Sequence, residues 1–224
     1  MGALSDITVL DLTRVLAGPY ATMILADLGA EIIKIEQPEK GDDSRAYGPY
    51  KNGESAYFMS LNRNKESITL NLKAPAGKEI FKALVKQVDV LVENYRPGTM
   101  EKLGLGYDVL KELNPRLIYA SSTGYGQTGP YSQRPAYDAV VQAMGGIMSI
   151  TGQADGKPTR VGSSIGDITA GLFCAIGILT ALHERERSGL GQMVDVAMLD
   201  CQVAILENAI SRYEFTGEIP HPIG

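Results

Sequence analysis

The sequence predicts an α/β protein whose core is a doubly wound, mostly parallel β-sheet. Short runs rich in Val, Ile and Leu alternate along the chain with longer segments that carry apolar residues at helical spacing. That alternation is typical of repeated strand, helix, strand units, in which the strands pair in parallel. With 224 residues, 44% of them hydrophobic, the chain has enough material for one large core, so a single large domain is expected.

The first of these units lies near the N-terminus. Residues 7–12 (ITVLDL) and 31–36 (EIIKIE) are predicted strands. Between them, Pro19 suits the first turn of a helix and Gly29 supplies its end, which places a helix over residues 20–28. The order strand, helix, strand predicts that the two strands lie in one parallel sheet.

The same pattern continues along the chain. The further predicted strands are residues 67–72, 88–92, 117–121 and 193–198. The further predicted helices are residues 75–87, 98–103 and 107–113, with two more after Tyr137 and Asp167. Ligands of such sheets bind beyond the carboxyl ends of the strands. The expected binding edge therefore comprises the loops at residues 13–18, 37–45 and 94–96.

The domain organisation follows from a change in composition near the end of the chain. Residues 215–222 (FTGEIPHP) are loop-like because they contain glycine and two prolines. We therefore expect one large α/β domain over residues 1–213 and the start of a linker over residues 214–224. An ending of this kind also suits a fragment that stops before further structure.

Charge and composition exclude several classes of protein. The net charge of −5 and the absence of a Lys/Arg-rich run argue against a nucleic-acid binder, although local cations can still hold an anion. Cys174 and Cys201 lie in apolar helical segments, which favours buried thiols in a reducing cytoplasm over a disulfide or a metal site. Residues 1–6 lack signal-peptide features, and residues 168–182 are too short and glycine-interrupted for a good membrane span. A cytoplasmic location without a membrane partner is expected.

Common catalytic patterns are also missing. The loop at residues 13–19 contains neither G-x-G-x-x-G nor a Walker A pattern, which disfavours NAD and ATP chemistry. His183 and His221 are the two histidines. If one helix joins His183 to Asp167, sixteen residues earlier, their backbones lie about 24 Å apart, so they cannot form a catalytic pair. A serine hydrolase is improbable because the chain also lacks a G-x-S-x-G elbow.

Residues 162–167 (GSSIGD) are the most informative segment. They place Asp167 where a long run of small and apolar residues begins, with two glycines in the approach. A carboxylate there can meet a reagent closely, and the helix amides face the negative charge that develops during an attack. Asp167 is therefore a candidate nucleophile. On local sequence alone, however, the favoured interpretation is an ordinary N-cap.

Several ordered segments together resemble the class III CoA-transferase (CaiB/BaiF) family, which includes formyl-CoA transferase-like enzymes and the α-methylacyl-CoA racemases. Each segment is weak alone, but six in the same order are specific. They cover nearly the whole chain. The segments are residues 9–19, 28–36, 62–65, 92–98, 124–126 and 162–167.

The resemblance implies a fold and a reaction. It implies that this chain is the Rossmann-like large domain, that a smaller C-terminal domain is missing from these residues, and that the full-length protein is an interlocked homodimer. The implied reaction moves coenzyme A between an acyl-CoA and a small carboxylic acid. Asp167 would attack the thioester, passing through an aspartyl anhydride and an aspartyl-CoA thioester. No ATP or metal is implied.

The resemblance also implies which residues bind CoA. Lys34 and Arg96 are possible extra cations beside that site, and Gln37 replaces a basic residue of some relatives. The implied CoA-binding residues are Arg14, Val15, Leu16 and Ala17 in the first loop, Gln37 and Leu70 on the adenine side, and Asn94, Tyr95, Lys102 and Leu103 near the phosphates and pantetheine.

Two alternatives remain open from the sequence. Racemases of the family bind the same CoA esters but need acid and base groups flanking the α-carbon. They carry a histidine where this chain has Tyr137, and an unperturbed tyrosine is a poor proton relay at neutral pH. This favours a transferase. The second alternative is a CoA-binding fragment without turnover, because family members continue beyond residue 224.

Overall fold

The computed structural model describes residues 2–154 and 156–223. Within them the strands follow the predicted order, with one hairpin added. The strands are β1 (Thr8–Asp11), β2 (Glu31–Glu36), β3 (Tyr50–Lys51), β4 (Glu54–Ser55), β5 (Glu66–Thr69), β6 (Val90–Glu93), β7 (Ile118–Thr123) and β8 (Met193–Ala197). The helices are α1 (Ala17–Asp27), α2 (Ala56–Leu61), α3 (Pro75–Val85), α4 (Thr99–Leu103), α5 (Tyr107–Leu113), α6 (Asp138–Met144), α7 (Ile165–Ser188), α8 (Met198–Ala204) and α9 (Asn208–Thr216).

The main sheet confirms the predicted fold class. Within the described ranges it has six strands in the order β5-β2-β1-β6-β7-β8, and every neighbouring pair is parallel. The chain winds outward from β1 in one direction and from β6 in the other. Because the strand order reverses between β1 and β6, the loops that follow these two strands diverge and leave a crevice at their carboxyl ends.

Helices cover both faces of the sheet, as a parallel sheet requires. On one face, Val9, Val90 and Ala120 pack in a core with residues of α1 and α7. On the other face, Leu91 and Tyr119 pack in a second core with residues of α3 and α5. Successive strand residues thus alternate between the two cores.

Helix α7 passes through the first core and lies close to α1. A Cβ atom on Gly171 would lie 2.7 Å from the Ala17 carbonyl oxygen, so glycine permits this close approach. The helix is long and apolar enough to cross a membrane by length and composition, yet half of its most apolar stretch is buried in this fold. Leu172 and Ile176 are exposed on its outer side.

Most predicted boundaries differ from the observed ones by one to three residues, and two of the differences bear on the site and on the end of the domain. Helix α7 begins at Ile165, so Asp167 lies in its first turn and not at its start. Near the end of the chain, α9 continues through Thr216 and ends at Gly217, which has a φ of 70°. The loop-like segment predicted from residue 214 therefore begins later, because the left-handed glycine ends the helix. Cys174 and Cys201 are buried free thiols, as predicted.

Candidate active site

Two neighbouring cavities open at the carboxyl ends of the strands. One, of about 560 Å³, is lined by residues that include Gln37 and Lys102, and we call it the Lys102 cavity. The other, of about 450 Å³, is lined by residues that include Asp167, and we call it the Asp167 cavity. Arg14 and Tyr95 line both. The Arg14 guanidinium carbon lies 5.2 Å from the centroid of the Tyr95 ring, so this pair stands where the cavities meet.

Every site residue named from the sequence lines at least one of these cavities. The Lys102 cavity brings together Arg14, Gln37, Leu70, Tyr95, Lys102 and Leu103. The Asp167 cavity brings together Arg14, Val15, Leu16, Ala17, Asn94, Tyr95 and Asp167. The fold therefore gathers residues from six separate loops and helix ends around one crevice, and their roles toward CoA remain a prediction.

Asp167 is not the cap of α7. The N-cap position is Ser164, and it makes no side-chain capping bond. The Gly166 amide instead donates a hydrogen bond to Oδ1 of Asp138, at 2.9 Å. Gln142 Nε2 holds the second Asp138 oxygen at 2.8 Å. Because Asp138 satisfies this helix amide from outside, the Asp167 carboxylate is left for another role.

The environment of Asp167 makes its carboxyl group unusually basic. Partial burial is the largest cause, and the nearby charge of Asp138 is the second. Together they raise the pKa of Asp167 to about 6. A hydrogen bond from the Ala17 backbone amide acts in the opposite direction. The carboxylate is therefore still ionised at neutral pH but more basic than an ordinary aspartate, which favours attack on an electrophile.

The loop after β1 is held in place by Asn94. Its Oδ1 accepts a hydrogen bond from the Arg14 amide at 2.9 Å, and its Nδ2 donates to the Arg14 carbonyl at 2.8 Å. The predicted CoA-binding residue Asn94 thus lies in the Asp167 cavity with its amide group already engaged by the neighbouring loop. These two hydrogen bonds show that Asn94 positions the loop after β1.

The next residue of this loop, Val15, has a strained backbone. Its φ is 67°, a left-handed value that a β-branched residue rarely adopts. The Val15 amide donates to Oδ1 of Asp42 at 3.1 Å, while the preceding Thr13 carbonyl accepts from Lys34 Nζ at 2.7 Å. Such strain persists when surrounding contacts fix the backbone, and here the contacts direct the chain toward Ala17 and Asp167.

Lys34 does not have the role proposed for it. The sequence analysis treated it as an extra cation for CoA, but its side chain is 1% exposed and its Nζ pairs with Oδ2 of Asp42 at 2.9 Å. Through the Thr13 carbonyl and Asp42, Lys34 supports the loop after β1. Arg96, by contrast, is exposed beside the Asp167 cavity.

A second buried ion pair lies beneath the same loop. Lys65 Nζ contacts Oδ2 of Asp11 at 3.1 Å, and it also donates to Asn62 Oδ1 at 3.0 Å. Burial alone would raise the pKa of Asp11, but Lys65, Lys34 and two threonine hydrogen bonds outweigh it and hold that pKa well below its usual range. The matched segment at residues 62–65 thus serves the scaffold of the site.

The structure adds residues that the sequence analysis missed. Lys73, just after β5, is exposed and lines the Lys102 cavity together with Lys102. Asp138 faces Asp167 from α6. A signal for Lys73 was available, because it follows the carboxyl end of a strand. No sequence signal was available for Asp138, because its position next to Asp167 depends on how α6 packs against α7.

The arrangement places a basic carboxylate next to the Ala17 amide, with the Lys102 cavity and its two exposed lysines beside it. Within residues 2–154 and 156–223, no group of three or more His, Cys, Asp or Glu side chains is placed to hold a metal ion. A doubly wound α/β fold with such a site is suited to an anionic, elongated ligand at the carboxyl ends of its strands.

Comparison with known proteins gives the family. The model of CoA-transferase family III matches residues 4–224, and the chain belongs to that family. It is 53% identical to acetyl-CoA:oxalate CoA-transferase of Acetobacter aceti, over all of this chain and 58% of that protein. It is 50% identical to succinyl-CoA:glutarate CoA-transferase of Mus musculus, over 95% of this chain and 49% of that protein.

Solved structures agree with this assignment. A CaiB/BaiF family protein from Brucella suis superposes with a TM-score of 0.95 at 43% identity, covering 100% of this chain and 60% of that one. The protein Rv3272 from Mycobacterium tuberculosis gives a TM-score of 0.87 at 40% identity, covering 95% of this chain and 60% of that one. The chain thus spans between about half and three fifths of these relatives.

We expect Asn94→Ala to loosen the loop after β1. Removing both hydrogen bonds to Arg14 should lower the free energy of unfolding by about 1–2 kcal/mol. CoA affinity should fall with it, since Val15 loses its neighbouring support. Chemical denaturation and calorimetric CoA titration measure the two effects. Gln87→Ala, which removes an exposed amide donating to the Ala83 carbonyl, is the matched control. Lost CoA affinity at unchanged stability would mean that Asn94 acts on CoA and not on the loop.

Proposed function

We propose that the protein transfers coenzyme A from an acyl-CoA to a carboxylic acid, with Asp167 as the nucleophile. The observation that carries this proposal is the position of Asp167. Its carboxylate does not cap α7, and it lies in a cavity that shares Arg14 and Tyr95 with the basic Lys102 cavity. Membership of CoA-transferase family III supports the reaction class. Relatives named acetyl-CoA:oxalate CoA-transferase and succinyl-CoA:glutarate CoA-transferase support carboxylic acids as acceptors.

The two cavities would bind different parts of the CoA molecule. Lys73 and Lys102 are exposed cations on the Lys102 cavity, which suits the phosphates of the nucleotide end. Leu70 and Leu103 provide apolar surface there for the adenine ring and the pantetheine arm. The arm then passes Arg14 and Tyr95, so that the thioester enters the Asp167 cavity.

The first half of the reaction loads CoA onto the protein. An Asp167 carboxylate oxygen attacks the thioester carbonyl, the carbon–sulfur bond breaks, and a mixed anhydride and a CoA thiolate result. The thiolate then attacks the Asp167 carbonyl carbon of the anhydride. This releases the donor acid, which carries away one oxygen from Asp167, and leaves an aspartyl-CoA thioester.

The second half reverses these steps with the acceptor acid. Its carboxylate attacks the aspartyl-CoA thioester, forming a second anhydride and releasing the thiolate. The thiolate attacks the acceptor carbonyl carbon, and Asp167 leaves as a carboxylate with one oxygen from the acceptor. Each step exchanges one activated acyl bond for another, so no ATP is needed.

The residues around Asp167 suit the charge that moves in these steps. The Ala17 amide lies against the carboxylate. Asp167 itself lies in the first turn of α7, at the positive end of the helix dipole. Such fixed donors stabilise the negative oxygen of a tetrahedral intermediate without having to reorganise. The strained loop at Val15 supports Ala17 in this position.

Trapping the intermediate tests the proposal. The complete protein is incubated with an acyl-CoA, treated with hydroxylamine or borohydride, digested and analysed by mass spectrometry. We expect modification at Asp167. Unmodified Asp167 together with deuterium exchange at the substrate α-carbon would instead support racemase chemistry, with Asp167 as an acid or base.

The pH dependence of the first step should follow the pKa of Asp167. The value of kcat/KM for acyl-CoA should fall below about pH 6, because protonation removes the nucleophile. Asp138→Asn removes the nearby negative charge but keeps an oxygen for the Gly166 amide. That variant should lower the pKa of Asp167 and move the acid limb to lower pH. An acid limb that stays in place would contradict the assignment, since titration of a CoA phosphate would not respond to residue 138.

A further inference from the structure

The carboxyl end of β7 places two buried hydroxyl groups at the Asp167 cavity. Ser122 and Thr123 line that cavity, and they are 3% and 5% exposed. Neither the Ser122 Oγ nor the Thr123 Oγ1 has a hydrogen-bond partner among the residues that the structure describes. A buried hydroxyl without a partner is unfavourable, so its presence here requires another explanation.

The two hydroxyls lie on opposite faces of the sheet. Along β7, Ile118 and Ala120 pack in the core that contains α7, whereas Tyr119 packs in the opposite core. Because strand side chains alternate, Ser122 continues the row of Ala120 and lies on the α7 face, toward Asp167. Thr123 lies on the other face.

The neighbouring Ser121 shows what an ordinary buried serine does in this strand. It lies on the face opposite to Ser122, and its Oγ accepts a hydrogen bond from Gln127 Nε2 at 2.7 Å. Ser122 has no comparable contact within the described residues. Packing does not require its hydroxyl either, since alanine fills the preceding position of the same row at Ala120.

The charges of the cavity favour a donor at this place. Asp43, Asp138 and Asp167 all line it. Two cations, Arg14 and Arg96, also line it, and Arg14 is engaged with Asp43 at 3.2 Å. An acyl group brings carbonyl or carboxylate oxygens into this acidic surrounding, and these accept hydrogen bonds. A neutral hydroxyl can donate to them while adding no charge of its own.

We propose that Ser122 is a catalytic residue that donates a hydrogen bond to the acyl oxygen of the group reacting at Asp167. This inference rests on the proposed function. As Asp167 attacks, the thioester carbonyl oxygen gains negative charge, and the Ser122 Oγ–H stabilises it. The proton stays on Ser122 throughout, and no bond forms to its oxygen. When the carbon–sulfur bond breaks, the same hydroxyl remains on the carbonyl oxygen of the anhydride.

Replacement of Ser122 by alanine tests this role in the complete protein. Ser122→Ala should slow the formation of the trapped Asp167 adduct by about 100- to 1,000-fold, in the range of a lost oxyanion donor. Binding of free CoA should be unchanged, because free CoA has no acyl oxygen. The thermal midpoint should stay the same or rise, since an unpartnered hydroxyl is removed. Ser121→Ala, in the next position on the other face, is the matched control and should acylate at close to the unmodified rate.

The other outcomes separate this inference from the function on which it depends. An unchanged adduct rate in Ser122→Ala, with a normal adduct in the unmodified protein, would overturn the role of Ser122 and leave the proposed function standing. A lower thermal midpoint with weaker binding of free CoA would give Ser122 a structural role and also overturn the inference. Failure of the unmodified protein to form the adduct would refute the proposed function and this inference with it.

Discussion

Asp167→Asn is expected to lower the rate of CoA transfer by about 10³-fold or more. The amide has nearly the shape of the carboxylate but is a poor nucleophile, so it cannot form an anhydride. The same change should make the fold more stable at pH 7. Burial and the charge of Asp138 raise the pKa of Asp167 to about 6, so ionising this group opposes folding.

The sign of the pH dependence follows from that shift. An unfolded aspartate has a pKa of about 3.9, below the folded value. The stability attributable to Asp167 is therefore fully present below about pH 4 and is lost as the pH rises through about 6. Denaturation at pH 4 and pH 7 should show Asp167→Asn gaining over the unmodified protein mainly at pH 7.

The matched control for Asp167→Asn comes from the same cavity. Asp43→Asn changes an exposed carboxylate that also lines the Asp167 cavity and pairs with Arg14. It should retain most of the transfer rate, because a surface pair of this kind contributes little. Substantial transfer by Asp167→Asn would mean that this carboxylate is not the nucleophile.

Lys65→Met is expected to cause the largest loss of stability. It leaves the Asp11 carboxylate, which is 0% exposed, without its nearest cation. Removal of one member of a buried pair typically costs about 3–5 kcal/mol, because the remaining charge is uncompensated. CoA binding should weaken as well, since Asp11 Oδ1 holds the Thr13 amide at 2.8 Å, at the start of the first loop.

Chemical denaturation measures this effect, with Lys111→Met as the control. Lys111 pairs with Asp108 on the surface, so its replacement should change the free energy of unfolding by less than about 0.5 kcal/mol. The double variant Asp11→Asn/Lys65→Met should recover part of the loss, because no unpaired charge remains buried. A Lys65→Met protein as stable as the control variant would show that the pair does not support the fold.

The parallel sheet could be predicted because each of its strands has a strong local signal. The run at residues 31–36 is apolar enough to be buried, and Gly29 marks the end of the helix before it. The β3–β4 hairpin was missed although its turn, Asn52-Gly53, has the positive φ values that this dipeptide favours. Strands of two residues show no alternation of apolar and polar residues, so the turn was the only sequence signal for this hairpin.

The site was only partly predictable for a different reason. The cavity-lining residues were named through ordered segments that resemble a family. Contacts between segments that are distant in the sequence could not be predicted from the local sequence. Asp138 caps a helix that begins 27 residues later. Lys34 looks like an ordinary strand residue, and only its burial beside Asp42 reveals a supporting role.

The most direct test of the central claim follows the oxygen atoms of Asp167. The complete protein turns over an acyl-CoA with an acceptor acid whose carboxylate carries ¹⁸O, and the peptide containing Asp167 is then weighed by mass spectrometry. If the acid forms an anhydride with Asp167, each turnover leaves one heavy oxygen on that side chain, and labelled peptide accumulates. Transfer of CoA to the labelled acid with an unlabelled Asp167 peptide would contradict the mechanism.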